Sequence, residues 1–319
     1  MRGPVLALLS ALLFALTVPA SKVLLESTPP LILAGLLYLG AGIALGLFGF
    51  VRKTVLAPNA PSRRVPAARR PRTADYLRLA GAIATGGVAA PIALLSGLQR
   101  TPAATAALLL SFEVVFTALW AGVFFREHVG RRVGLAVAAV TVGGVLLSLD
   151  PDGEWGLSLG ALGVVGACAL WGLDNNLTAV IEDLEAVRIA RIKGFVSGGV
   201  NLGLGLLFGF RLPGWGALAG ALAVGGAAYG LSLVLFVLAL RRLGAARTGA
   251  YFGSAPFLAA GLSLLVTGET PGSLVFVAAG FMAAGAWLMM GEQHVHEHVH
   301  AGVVHAHWHA PDVDHRHEH

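Results

Sequence analysis

Apolar residues gather along this chain into ten long runs, at about 4–25, 31–51, 77–97, 103–125, 131–149, 157–181, 187–210, 216–240, 247–267 and 273–290. Each approaches the roughly 20 residues that an α-helix needs to cross a hydrocarbon core. The polar residues collect between them. The pattern predicts an all-α polytopic membrane protein of ten transmembrane helices. With the N-terminus inside, 19 of the 22 Lys and Arg residues fall in the inner segments, leaving only Lys22, Arg100 and Arg211 elsewhere. The positive-inside rule then places both termini in the cytoplasm and the protein in the cytoplasmic membrane.

The chain also contains an approximate copy of itself. Leu98–Glu127 lies over Leu240–Glu269 at a constant offset of 142, so that Arg100 falls on Arg242, Ala103 on Ala245 and Glu127 on Glu269. At an offset of 157, Phe14, Leu16, Ser21 and Glu26 fall on Trp171, Leu173, Thr178 and Asp183. The offsets differ because the first half carries the extra segment 52–74, rich in Pro, Arg and Ala, which reads as a disordered cytoplasmic loop. The boundary falls at the acidic turn 149–156, giving repeats over 1–150 and 151–290 and a disordered His-rich tail over 291–319. Five spans per half is an odd number, so the second half enters the membrane from the opposite side. Inverted halves are the hallmark of carriers, in which two bundles rock about a central site.

Composition agrees: 56% of the residues are hydrophobic and 12% charged, where soluble domains average about 25% charged. The net charge of +5 sits mostly in the loop 52–76, beside lipid headgroups, and needs no nucleic-acid partner. The start MRGPVLALLSALLFALTVPA has the form of a signal peptide, yet its counterpart in the second half predicts that it stays as span 1. Cys168 is the single cysteine and reads as a packing residue. The 43 glycines, many four residues apart, read as helix-packing positions and leave a homodimer open. With no nucleotide-binding loop and no assembled catalytic set, the chain reads as neither a primary pump nor an enzyme. A receptor or scaffold is a third reading, disfavoured by the short loops.

Ionisable groups inside spans point to function, because burying each in lipid costs several kcal/mol unless it finds a partner or a cavity. Glu113 lies midway along span 4, Lys22 in the outer part of span 1 and Asp174 in span 6, followed by Asn175 and Asn176. Glu113 is the candidate for proton coupling or cation binding, with a structural pair to Lys22 as the plainer alternative. Asp174 reads equally as a substrate ligand or as a helix-end charge. Pro19 removes a helical hydrogen bond in span 1 at the level where span 6 turns polar, so the substrate site is expected between spans 1, 4, 6 and 9. Trp171, Asn201 and the Tyr251–Phe252 pair are weaker candidates.

The stretch RTPAATAALLLSFEVVFTALWAGVFFREHVGRRVGLAVAAVTVGGVLLSL resembles the end of an EamA domain of the drug/metabolite transporter (DMT) superfamily, with its small-residue helix, Gly-Glu turn and Gly-rich last helix. The stretch YFGSAPFLAAGLSLLVTGETPGSLVFVAAGFMAAGAWLM is similar to the same element again. The resemblance covers nearly all of residues 4–290. It implies ten helices in two inverted five-helix repeats and secondary transport of small metabolites, amino acids or drugs, commonly as export. The family's Glu-Pro pair is split here: one half keeps Glu113 beside Val114, the other keeps Pro256 beside Ala255. Any coupling carboxylate thus comes from span 4 alone.

Ten histidines crowd the tail: His294, His296, His298, His300, His305, His307, His309, His315, His317 and His319. Imidazole is a common ligand for Zn, Ni and Co, so loosely bound metal is expected there, with no cofactor required for the bundle. The tail supports an alternative reading, a transition-metal exporter. Against it, no His, Cys or Met cluster lines the spans.

Overall fold

The computed structural model describes residues 3–51, 71–124, 131–148, 159–181, 184–243 and 251–290, together with the backbone of 294–300 and 303–309. Helix occupies each of the ten apolar runs. In chain order the elements are α1 (Gly3–Ala15), α2 (Thr17–Leu24), α3 (Pro30–Val51), α4 (Thr73–Ala82), a π segment (Ile83–Ala89), α5 (Ala90–Gln99), α6 (Ala103–Leu109) and α7 (Phe112–Phe124). There follow α8 (Arg131–Ser148), α9 (Leu159–Ala179), α10 (Ala186–Leu207), α11 (Trp215–Val224), a second π segment (Gly225–Leu231), α12 (Ser232–Leu243), α13 (Ala255–Thr267) and α14 (Ser273–Met290). Among the described residues, five helical stretches are long and apolar enough to cross a bilayer: Gly3–Leu24, Pro30–Phe50, Thr73–Gln99, Ala103–Phe124 and Trp215–Phe236. The outward faces carry many large apolar side chains. Trp215 is 86% and Leu265 83% exposed, a surface that suits lipid rather than water.

The helix interruptions have local causes. Pro19 offers no N–H to the turn before it, and the helix breaks at Leu16 between α1 and α2. Span 4 breaks at Leu110–Ser111, and a turn at Gly253–Ser254 precedes α13 within one residue of the position that the offset of 142 gives. The second π segment begins 142 residues after the first, the offset already found in the sequence. Such π turns usually mark an inserted residue and occur often at functional sites.

Packing follows the small residues. The helix α3 runs along α10, α8 along α14, α5 against α9 and α1 against α12. Within the α1–α12 contact, Ser10 Oγ donates to the Ser232 carbonyl at 2.8 Å and Ser232 Oγ to the Ser10 carbonyl at 2.9 Å. Each hydroxyl thereby finds an acceptor where lipid offers none. At the α3–α10 crossing, a Cβ on Gly194 would stand 2.7 Å from the Gly42 nitrogen. Backbone cannot yield as a side chain can, so Gly194→Ala is expected to cost about 1–3 kcal/mol, the usual penalty for overpacking. Thermal unfolding in detergent, against Gly199→Ala where nothing lies within 4 Å, measures it.

Direction can be read at one end of the bundle. Lys22, near the end of α2, reaches the backbone of Leu98 and Thr101. Gly160, at the start of α9, lies against Thr101 and Gly97. Helix α9 thus begins where α2 finishes, and the two run antiparallel.

Two expectations change. The loop expected over 52–74 ends early, because Thr73 and Ala74 already belong to α4. Asp75 accepts the Arg72 N–H at 2.9 Å and so starts the helix. Residues 52–70 lie outside those described. Within the tail expected to be disordered over 291–319, the described residues form an antiparallel hairpin of β1 (His294–His300) and β2 (Val303–His309), and the rest of the tail lies outside the described residues. The period-two sequences HVHEHVH and VVHAHWH favour strand over coil, and the register sets His296 opposite His307 and His298 opposite His305.

Candidate functional site

Pro91 organises the centre of the first half. Having no N–H, it cannot donate to the turn before it, and the Ala90 N–H goes to Thr85 in the π register. The carbonyls of Gly86 and Gly87 are served by side chains from other helices. Tyr38 Oη on α3 and Trp171 Nε1 on α9 both donate to Gly86 O, at 2.7 and 2.9 Å, and Asn201 Nδ2 on α10 donates to Gly87 O at 2.9 Å. Three helices are thereby hydrogen-bonded to one loosened turn.

An ion pair sits against that turn. Lys193 Nζ on α10 donates to both oxygens of Asp174 on α9, at 2.6 and 2.5 Å, and Thr178 Oγ1 adds a third hydrogen bond at 3.1 Å. The side chains are 16% and 7% exposed. The Asp174 carboxylate lies so close to the Gly86 Cα that no Cβ fits between them. Burial removes both charges from water, and only a pair whose hydrogen bonds are well filled offsets that cost.

Glu113 stands one residue into α7, just past the break in span 4. Its Oε1 accepts from Asn175 Nδ2 at 3.0 Å, and the same amide donates to Thr117 Oγ1 at 3.1 Å. Asn175 follows Asp174 directly on α9, so the ion pair lies one residue along the helix from the Glu113 contact. An aromatic chain continues from Tyr38: Tyr38 to Tyr229 at 5.8 Å, Tyr229 to Phe14 at 5.9 Å, Phe14 to Phe252 at 5.3 Å and Phe252 to Phe236 at 4.9 Å between ring centres. Carboxylates, an ammonium, amides and rings from both halves therefore meet in one region. Such a set can hold a small molecule carrying both charges and an apolar part.

Of the residues singled out in the sequence, Glu113, Asp174, Asn175 and Trp171 are brought together. Asn176 is not part of the polar face, since its amide donates to the backbone carbonyls of Thr117 and Gly172 at 2.9 and 2.8 Å. Tyr251 packs with Leu6, Ala7 and Ala239, away from the ion pair. Lys22 does not pair with Glu113; it holds backbone carbonyls at the opposite end of the bundle. Asp174 is no helix-end charge, because α9 continues to Ala179. Sequence reasoning missed Lys193, which reads as one more inner positive residue beside Arg188 and Arg191. It also missed Tyr38 and Gly86, for which Pro91 was the available signal.

Among the described residues, no three His, Cys, Asp or Glu side chains come together. His294, His296, His298, His300, His305, His307 and His309 are described by backbone alone, and His315, His317 and His319 lie outside the described residues.

Comparison with known proteins bears on what this region serves. Residues 1–149 match the EamA-like transporter family. An uncharacterized transporter of Methanothermobacter thermautotrophicus is 28% identical over 297 residues, spanning 90% of this chain and 85% of the relative. A "Probable terminal-alkyne amino-acid exporter" of Streptantibioticus cattleyicolor is 28% identical over 225 residues, spanning 69% and 75% of the two chains. A solved structure described only as that of a protein superposes with a TM-score of 0.60 at 17% identity, covering 90% of this chain and 95% of its own, and so shares the fold.

Proposed function

We propose that this membrane transporter, whose residues 1–149 belong to the EamA-like transporter family, is a secondary carrier that exports small zwitterionic metabolites such as amino acids by alternating access. The observation that carries the reading is that Asp174, bonded to Lys193, and Asn175, bonded to Glu113, are neighbours on α9 within an apolar helical bundle. A zwitterion presents an ammonium and a carboxylate together, so it can exchange partners with the ion pair without leaving either protein charge bare. The amino-acid exporter among the relatives supports that substrate class. Two inverted five-helix halves in a ten-span bundle supply the motion, a reading supported by the antiparallel α2 and α9 and by the π segments 142 residues apart. The charge distribution supports a cytoplasmic-membrane location with both termini inside.

In this reading Glu113 couples transport to protons. It is the carboxylate of the site that has no cation hydrogen-bonded to it among the described residues, so its charge is free to change during the cycle. Glu113→Gln keeps an oxygen for Asn175 while removing the ionisable group. Proteoliposomes carrying this variant are expected to lose accumulation of amino acids driven by a proton gradient, yet to retain exchange of substrate for substrate. Accumulation equal to the parent's would show that Glu113 is not the coupling group. The metal-export alternative draws on the tail histidines and gains no support from the side chains gathered in the bundle among the described residues.

A further inference from the structure

We propose that Lys22 and Glu269 form the gate that holds the outer end of the bundle closed, an inference that rests on the alternating-access reading above. Both grip the same short turn. Lys22 Nζ donates to the carbonyls of Leu98 and Thr101 at 2.6 and 2.7 Å. Leu98 belongs to the last turn of α5, whose carbonyls lack helical donors and carry the negative end of the helix dipole. On the other side of the turn, Glu269 Oε1 and Oε2 accept the N–H groups of Ala103 and Ala104 at 2.7 and 3.1 Å. These are the first two residues of α6, where donors are equally unpaired and the dipole is positive. Gly268, at φ 67°, ends α13 in a left-handed turn and delivers Glu269 to that position. A cation from span 1 and an anion following span 9 thus tie down the link between spans 3 and 4.

Four spans that must part when the site opens outward are joined there by four charge-assisted hydrogen bonds. Thr101, within the clamped turn, is buried against Gly160 at the start of α9, so span 6 is held as well. The cation half of the clamp has no counterpart in the repeat, whereas Glu269 falls on Glu127 at the offset of 142. Lys22 falls on Ala179 at the offset of 157, and alanine has no donor to offer at the other end. Neither charge touches the Asp174–Glu113 region, so they act on access rather than on substrate. The plainer role, that of static helix caps, predicts lost stability without any preference for one membrane face.

Accessibility separates the two roles without knowledge of the substrate. Thr101 contributes its backbone to the clamp while its Oγ1 has no partner, so Thr101→Cys in a Cys168→Ser background gives a reporter that leaves the four hydrogen bonds in place. In intact cells a membrane-impermeant maleimide is expected to label this reporter slowly, and at least about tenfold faster once Lys22→Met or Glu269→Gln is added, as losing a charged hydrogen bond implies. Lys22→Arg is expected to keep the slow rate. Glu269→Gln retains an acceptor oxygen and carries the test if Lys22→Met does not fold. Rates unchanged in both variants, or raised equally from both membrane faces, would overturn the gate. A rise confined to the cytoplasmic face, which inside-out vesicles expose to the reagent, would uphold the gate and overturn the assigned orientation. Loss of gradient-driven transport in Glu113→Gln is read separately, so failure of the carrier reading is not mistaken for failure of the gate.

Discussion

Lys193→Met is expected to abolish transport and to destabilise the bundle by about 3–5 kcal/mol, the cost of leaving a buried charge without its partner. Asp174 receives three of its hydrogen bonds from Lys193 and Thr178, two of them from the ammonium. Without that ammonium, the carboxylate remains buried between α9 and the Gly86 turn with only the Thr178 hydroxyl bonded to it among the described contacts. Asp174→Leu is expected to do the reverse and strand Lys193. The double variant Asp174→Leu/Lys193→Met discriminates between support and function. Replacing a buried pair by apolar groups of similar size is often nearly neutral, so its thermal unfolding should return close to the parent's. Transport should not return, because the zwitterion has lost the charges it exchanges with. If the double variant transports as the parent does, the pair is architecture and the substrate is recognised elsewhere. If it unfolds as readily as the single variants, the pair is not independent of its surroundings and Thr178 must be included in the cycle.

What the sequence made legible depended on the range of the signal. Ten apolar runs are local patterns, and a helix lies in each of them. The offset of 142 between repeats reappeared in the two π segments, which no propensity would have placed. Glu113 and Asp174 were visible because charge inside an apolar run is conspicuous. Their partners were not. Lys193 lies 19 residues from Asp174 and reaches it because α9 and α10 both pack on the first π segment; along the chain it belongs to a basic stretch of the kind that flanks membrane spans. Lys22 was visible as a charge but its acceptors were not, since they are backbone carbonyls, which carry no sequence signature. Glu269 was visible only as half of a repeat. Gly86 had no signal of its own, because what makes it indispensable is a carboxylate 88 residues away and a proline five residues on.

Gly86→Ala is the smallest change expected to have a large effect. The Gly86 Cα is pressed against the Asp174 carboxylate, and a methyl group there would overlap its Cγ and Oδ2. Asp174 must then turn away, breaking at least one of its bonds to Lys193, while the Gly86 carbonyl shifts from under Tyr38 and Trp171. Loss of transport as complete as in Lys193→Met is expected, with destabilisation again of about 3–5 kcal/mol as a buried charge loses its partner. Asp174→Gly supplies the control by removing the group that the methyl meets. On that background Gly86→Ala should add little, leaving an interaction energy near the upper part of the roughly 0.5–3 kcal/mol found for residues in contact. Strict additivity would mean that the methyl acts through the π turn itself. Pro91→Ala, which restores an N–H to that turn, would then be the variant that reproduces the loss, because a regular α-helix would reclaim the Gly86 and Gly87 carbonyls from Tyr38, Trp171 and Asn201.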